Sequence, residues 1–462
     1  MMKLLESGRK RVSRWPNIAI TLLASLAAFS CYTSMYAFRK AFAAGTFEHL
    51  TYLHIDYKVW LVLTQMIGYT LSKFYGIRFI AESSSKKRAV YLIRLVLISW
   101  VALLAFALVP APWNIAFMLI NGFPLGMIWG LVFSYLEGRK TTEFMGAVMS
   151  ISLIFASGFV KTVARTLMSV SPVNEYWMPF VTGMVFMIPF LLSVYCLELI
   201  PAPTKEDQQL RTKRVPMDAA QRKKFLKSFL PGIIFTLVIY VLLTILRDMR
   251  DNFEVEIWAN FNIHDNHIYT QTDTIVSLAV LLIISLLILI KNNLKAFTVI
   301  HVIIIIGCVL AGIATLIFDH HYIGPIVWMC LVGLGLYMAY IPYNAIFHER
   351  MIANFHFKSN VGFIIYISDS VGYLGSASVL IFREFTTMNI SWGIFFKDTV
   401  YMVSIVGGIC AIASLIYFRN KTIHYNKENS IDDNSEISKP GQLNSTGKLF
   451  IRINKKYEYR QI

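Results

Sequence analysis

Five ionisable residues stand inside or at the edge of long apolar runs: Arg39, Lys73, Lys161, Arg247 and Asp369. Charge at membrane depth is costly, so such residues turn toward a protein interior or a watery path and mark sites of ion or solute handling. Arg39 and Arg247 carry planar donor forks that grip carboxylate or phosphate through paired hydrogen bonds and stay protonated. Two guanidiniums facing one cavity repel unless an anion lies between them, so the pair reads as an anion-binding site. The bland alternative is that each snorkels to a headgroup layer. Arg247 also has Asp251 four residues on, on the same helical face, as a local ion-pair partner.

Lys161 and Arg165 are spaced i, i+4 and share a face. Lys161 is the deeper of the two and reads as cavity-lining; Arg165 reads as interfacial. Lys73 lies in the inner half of its run. Asp369, in Ser368-Asp369-Ser370, must protonate or find a cation. Lys161 is the expected partner, and a proton-carrying role is the alternative. Tyr36, Tyr340 and Asn344 add hydroxyl and amide groups. Tyr337, Tyr340, Tyr343 and Asn344 form a polar stripe around Pro342, which suits either a water-filled path or a kinked helix with interhelical hydrogen bonds. No intramembrane metal cluster, nucleophile motif or phosphate-cradling loop is present, so no catalytic residue, metal or cofactor is expected and the chain does not read as an enzyme. Cys31, Cys196, Cys308, Cys330 and Cys410 stand singly and read as small buried hydrophobes.

The elements that must position these groups are transmembrane helices. Of 462 residues, 56% are hydrophobic and only 15% charged, which is far from the balance of a soluble domain. A span takes about 20 apolar residues. By that measure the expected fold is an all-α polytopic membrane protein with about twelve spans: 17–38, 56–78, 88–109, 113–136, 143–168, 176–198, 229–250, 272–290, 296–318, 323–347, 359–382 and 396–419. The net charge of +16 reads as lysines and arginines gathered in loops on one side and in the tails, not as a nucleic-acid footprint. That bias predicts both termini in the cytoplasm of a cell whose inner (plasma) membrane holds the protein. The expected partners are the lipid bilayer and a small, anionic solute, with the protein a monomer.

The halves look alike. Arg39 ends span one and Arg139 ends span four, 139 − 39 = 100 residues on; Arg247 ends span seven and Arg350 ends span ten, 350 − 247 = 103 on. Matching landmarks predict two pseudo-symmetric six-helix bundles with a site between them. The expected organisation is an N-terminus (1–16), a first bundle (17–198), a basic linker (199–228), a second bundle (229–419) and a polar tail (420–462).

Several motifs carry a resemblance. Tyr36-Ala37-Phe38-Arg39-Lys40, Tyr69-Thr70-Leu71-Ser72-Lys73-Phe74, Gly126-Met127-Ile128-Trp129, Leu246-Arg247 and Gly372-Tyr373-Leu374-Gly375-Ser376 resemble elements of the major facilitator superfamily, and specifically of its organophosphate:phosphate antiporter branch. The resemblance implies a carrier that rocks between two access states, with Arg39 and Arg247 as ligands of a substrate phosphate and Lys73 nearby. The loop after span two, Glu82 to Arg88, keeps only an acid and trailing cations of the superfamily's usual signature. The branch's helix-five histidine is not found in this sequence, and Lys161 is the nearest polar candidate for its place. Three functions follow as expectations: a carrier of a small organic anion, a proton-coupled carrier of a neutral or zwitterionic solute through Asp369, and a transporter-like sensor.

Overall fold

The computed structural model describes residues 2–82, 87–204, 207, 219–355, 361–386 and 390–437, and within these the side chains of all but 2–4, 77–82, 219–222, 224–226, 344–345, 349, 352–353, 361–367, 386 and 424–437. A short helix, Met2–Val12, precedes span one at Asn17–Lys40. Spans two and three are Tyr57–Glu82 and Arg88–Leu108. Span four comes in two pieces, Ile115–Leu125 and Ile128–Leu136, with Pro124 next to the break. A proline in a helix removes a backbone donor and crowds the preceding turn. Spans five and six are Thr142–Val170 and Met178–Glu198. Span seven belongs to a helix running from Ala219 to Ala259; spans eight and nine are Ile268–Ile288 and Asn293–Asp319. Span ten, Pro325–Pro342, continues through a π-helical turn at Tyr343–Phe347 into His348–Asn354. Span eleven is Val361–Thr386. Span twelve is Trp392–Met402, a second π-helical turn at Val403–Gly407 and Gly408–Ile437.

Ten of the described helices are long and apolar enough to cross a membrane. Spans two and eleven, 26 residues each, complete the all-α set. The chain divides into two units, Met1–Ile416 and Tyr417–Ile462. The first holds every pairing of spans described below. In the second, helix extends to Ile437, so the start of the segment expected as a polar tail is helical.

Within the first half, span one packs on five and six, and span four on two and three; within the second, span seven packs on eleven, and span ten on eight and nine. The halves meet where five lies along eight and where two lies along eleven. Exchanging the halves turns five into eleven and eight into two, so the two seams are equivalents of one another. Close seams need small residues. A Cβ on Gly158 of span five would collide with the carbonyl oxygen of Tyr269 on span eight.

Span seven departs from the sequence expectation. Its charged stretch Glu254–Glu256, expected in a polar loop, stays helical to Ala259, with Phe253 leaving helical geometry (φ −119°, ψ 20°). Asp273, inside span eight as expected, is buried with it. The hydropathy of a segment drops with each charge, whereas its burial depends on whether every charge meets an opposite one. Here every one does.

Candidate functional site

The last turn of span one is fastened by amides, as a helix end with unsatisfied carbonyls requires. Gln65 Nε2 donates to the Arg39 carbonyl at 2.6 Å and to Asn121 Oδ1 at 2.7 Å. Asn121 Nδ2 donates to the Phe38 carbonyl at 2.9 Å. Spans two and four thus hold Arg39 in place. Its guanidinium carbon lies 3.9 Å from the centroid of Tyr69 and 5.7 Å from that of Tyr36, contacts that stabilise a cation without neutralising it.

The Tyr69 ring meets the Tyr373 ring at 5.5 Å. On the far side of Tyr373, at 5.6 Å, is the guanidinium carbon of Arg247. Two tyrosine rings therefore join the two arginines across the seam between spans two and eleven. Arg247 differs from Arg39 in its company. Its Nη2 and Nε donate to Asp248 Oδ1 at 2.7 and 3.1 Å, and its Nη1 donates to the Tyr340 hydroxyl. Lys73 pairs with Asp369 at 3.2 Å. The Tyr240 hydroxyl donates to Asp369 Oδ1 at 2.5 Å and lies 3.3 Å from the Tyr340 hydroxyl.

A second cluster lies toward the loops 45–56, 171–177 and 260–267, here called the far end. Lys40 Nζ donates to Asn252 Oδ1 at 2.5 Å and pairs with Asp251 at 3.3 Å. Lys58 pairs with Glu256 at 2.5 Å and donates to the Ala43 carbonyl. Lys161, wholly buried, pairs with Glu254 at 2.8 Å and stands 3.8 Å from Asp251. Ser157 bridges Lys161 and Asp251. Arg250 meets Asp273 at 2.8 Å. Three cations of the first half are thus answered by three acids of span seven. The kink at Phe253 lets Glu254 and Glu256 both reach partners across the seam.

Among the described residues the buried lysines and arginines are Arg39, Lys40, Lys58, Lys161, Arg247, Arg250 and Arg383. Six have a carboxylate within 4 Å. Arg39 has none, and its Nε is buried without a hydrogen-bond partner. It is the uncompensated charge of the described interior.

The residues singled out in the sequence thus fall into two places. Arg39, Tyr36, Lys73, Arg247, Tyr340 and Asp369 gather at the centre. Lys161 belongs to the far-end cluster, so the partner of Asp369 is Lys73. The physical reason lies in the symmetry: spans five and eleven are equivalents, which puts them on opposite seams, whereas spans two and eleven share one. Arg247 pairs with Asp248, not Asp251, because Lys40 and Lys161 occupy Asp251. Lys40 is buried and paired with Asp251. The side chain of Asn344 lies outside the described residues. Tyr240, Lys58, Glu254 and Glu256 were missed as site residues. Their signal was the alternating charge of Arg247-Asp248-Met249-Arg250-Asp251 running into Val255, Ile257 and Trp258, which is a helix continuing rather than a loop.

Solved structures of transporters share this architecture. The proton:xylose symporter XylE bound to 6-bromo-6-deoxy-D-glucose matches with a TM-score of 0.56 at 14% identity, over 86% of this chain and 95% of that one. A point mutant of the nucleoside transporter NupG matches with 0.56 at 15%, over 86% and 100%. A point mutant of a peptide transporter POT, in complex with alafosfalin, matches with 0.57 at 11%, over 87% and 94%. XylE is a major facilitator superfamily protein, and the likeness shows that fold for this chain. No curated protein matches by sequence. A family model described as "Family of unknown function (DUF5690)" covers residues 41–421, and the chain belongs to that family.

Proposed function

We propose that this protein is a secondary carrier that moves a small organic anion across the inner membrane by alternating access, as a monomer with both termini in the cytoplasm. The observation that carries the reading is Arg39: a buried guanidinium, between two six-helix halves, with no carboxylate against it among the described residues. A buried cation without a counterion is costly, and a bound anion removes that cost. Arg247, Lys73, Tyr36 and Tyr340 form the rest of the binding wall, and an anion bridging Arg39 and Arg247 would tie the halves together. The far-end lysines and acids serve as the extracytoplasmic gate, because their pairs cross the halves and must separate for that face to open. Solved relatives in fold that are named as sugar, nucleoside and peptide transporters support a carrier. The organophosphate:phosphate antiporter likeness of the motifs supports exchange of anions. The test is uptake of labelled organic anions into proteoliposomes. Arg39→Gln is expected to abolish it, and undiminished uptake of every anion tested would sink the assignment.

A second reading has its own observation. Asp369 is shared between Lys73 on span two and the Tyr240 hydroxyl on span seven. A carboxylate so placed can release its lysine on taking a proton, which couples the seam to pH. Asp369→Asn should then remove uptake driven by a pH gradient and spare exchange; full retention of pH-driven uptake counts against it.

A further inference from the structure

We propose that the solute is a hydroxylated monocarboxylate rather than a phosphate ester. The inference rests on the anion-carrier reading and names its substrate class. Three cations face the centre, but two are already neutralised. Asp248 is the neighbour of Arg247 on span seven and moves with it, holding Nε and Nη2. Asp369 neutralises Lys73 and is itself held by Tyr240. Among the described residues the centre therefore carries one net positive charge, that of Arg39.

One charge balances one carboxylate. A phosphate monoester, close to doubly ionised at neutral pH, would leave a second negative charge beside Asp248 and Asp369 in a medium that screens poorly. It would also need several charge-assisted donors for its three terminal oxygens. Among the described residues only the Arg39 fork is uncommitted, since Nε, Nη1 and Nη2 of Arg247 each already donate, to Asp248 or to Tyr340. Geometry agrees with charge: a single planar fork matches the two oxygens of a carboxylate.

The body of the solute is read from the wall. The hydroxyls of Tyr36, Tyr69 and Tyr373 make no hydrogen bond among the described residues, although all three side chains are buried and surround Arg39 or face it across one ring. Phenolic hydroxyls both donate and accept. Three free ones around one carboxylate fork suit a chain of alcohol groups, and a purely apolar body would leave them unmatched.

The experiment uses two matched pairs: glycerate with glycerol 3-phosphate, and gluconate with glucose 6-phosphate. Binding to the purified full-length protein in detergent is titrated by calorimetry at pH 7.5. The carboxylate of at least one pair is expected to bind about tenfold or more tightly than its phosphate partner, a difference that one uncompensated charge readily supplies. Tighter binding of the phosphate in both pairs, or equal binding within them, overturns the monocarboxylate inference and leaves the anion carrier standing. No binding by any of the four overturns the anion carrier as well. Asp248→Asn, checked for folding by gel filtration, frees the fork of Arg247 and is expected to raise the affinity of the phosphate members about tenfold. An unchanged preference in a folded variant also refutes the charge balance.

Discussion

Replacing Lys161 by Met tests the far-end cluster most directly. Methionine is close to lysine in length and apolar, so the change removes charge with little loss of volume. The structure sets the scale. Lys161 and Glu254 are 2.8 Å apart, and neither is exposed by more than 1%. At an effective dielectric of about 20 two unit charges at that distance attract by roughly 6 kcal/mol. Much of this offsets desolvation, so the pair adds little net stability, but removing one member strands the other and costs about 3–5 kcal/mol. That cost falls on the state in which the far end is closed, because the pair joins span five to span seven. Opening hydrates Glu254 and relieves it. Lys161→Met should therefore shift the balance toward a far-open state by roughly 10²–10⁴-fold. Spin labels at exposed Asn174 and His264, on two of the far-end loops, would report a longer distance by pulsed electron resonance. A thermal-stability cycle with Glu254→Leu supplies the control. The double variant should recover most of the loss, giving a coupling of about 2 kcal/mol or more. Unchanged distances together with a coupling below about 0.5 kcal/mol would refute both the pair's isolation and its role as a gate.

Further expectations follow from the same geometry. Gly158→Ala drives a methyl group into the Tyr269 carbonyl and should cost about 1–3 kcal/mol as spans five and eight part, read as a lower melting temperature; a wild-type melt would show that this seam has room to spare. Arg39→Lys keeps the charge but loses the fork, so anion affinity should fall about tenfold, the worth of one charge-assisted bond, while Arg39→Gln should abolish binding; equal affinities would mean that the guanidinium does not touch the solute. Tyr240→Phe removes the hydroxyl that holds Asp369 and should cost about 1–3 kcal/mol of stability, measurable by thermal unfolding. Raising salt to 1 M should leave the far-end pairs intact, since buried charges escape screening; spin-label distances that lengthen with salt would place those pairs in water.

Much of this was legible without coordinates. Hydropathy alone located twelve spans, most of them to within a few residues, because a bilayer demands apolar length and a helix supplies it at a fixed rise per residue. Equal spacing of Arg39–Arg139 and Arg247–Arg350 exposed the two halves. Residue type singled out Arg39, Arg247, Lys73, Lys161 and Asp369, since each is dear to bury. Their partners were another matter. A pairing depends on which helices share a seam and at what depth, and neither quantity leaves a period in the chain. Lys161 was matched to Asp369 because spans five and eleven are equivalents, yet equivalence under a two-fold axis separates elements as often as it joins them. The end of span seven was misjudged for a related reason. Hydropathy scores Asp251, Glu254 and Glu256 as they would stand in water, whereas Lys40, Lys58 and Lys161, all from the other half, determine that they stand in a protein. The sequence determined that charges lie in the membrane domain; the packing of two seams decided which of them are spent on one another and left Arg39 over.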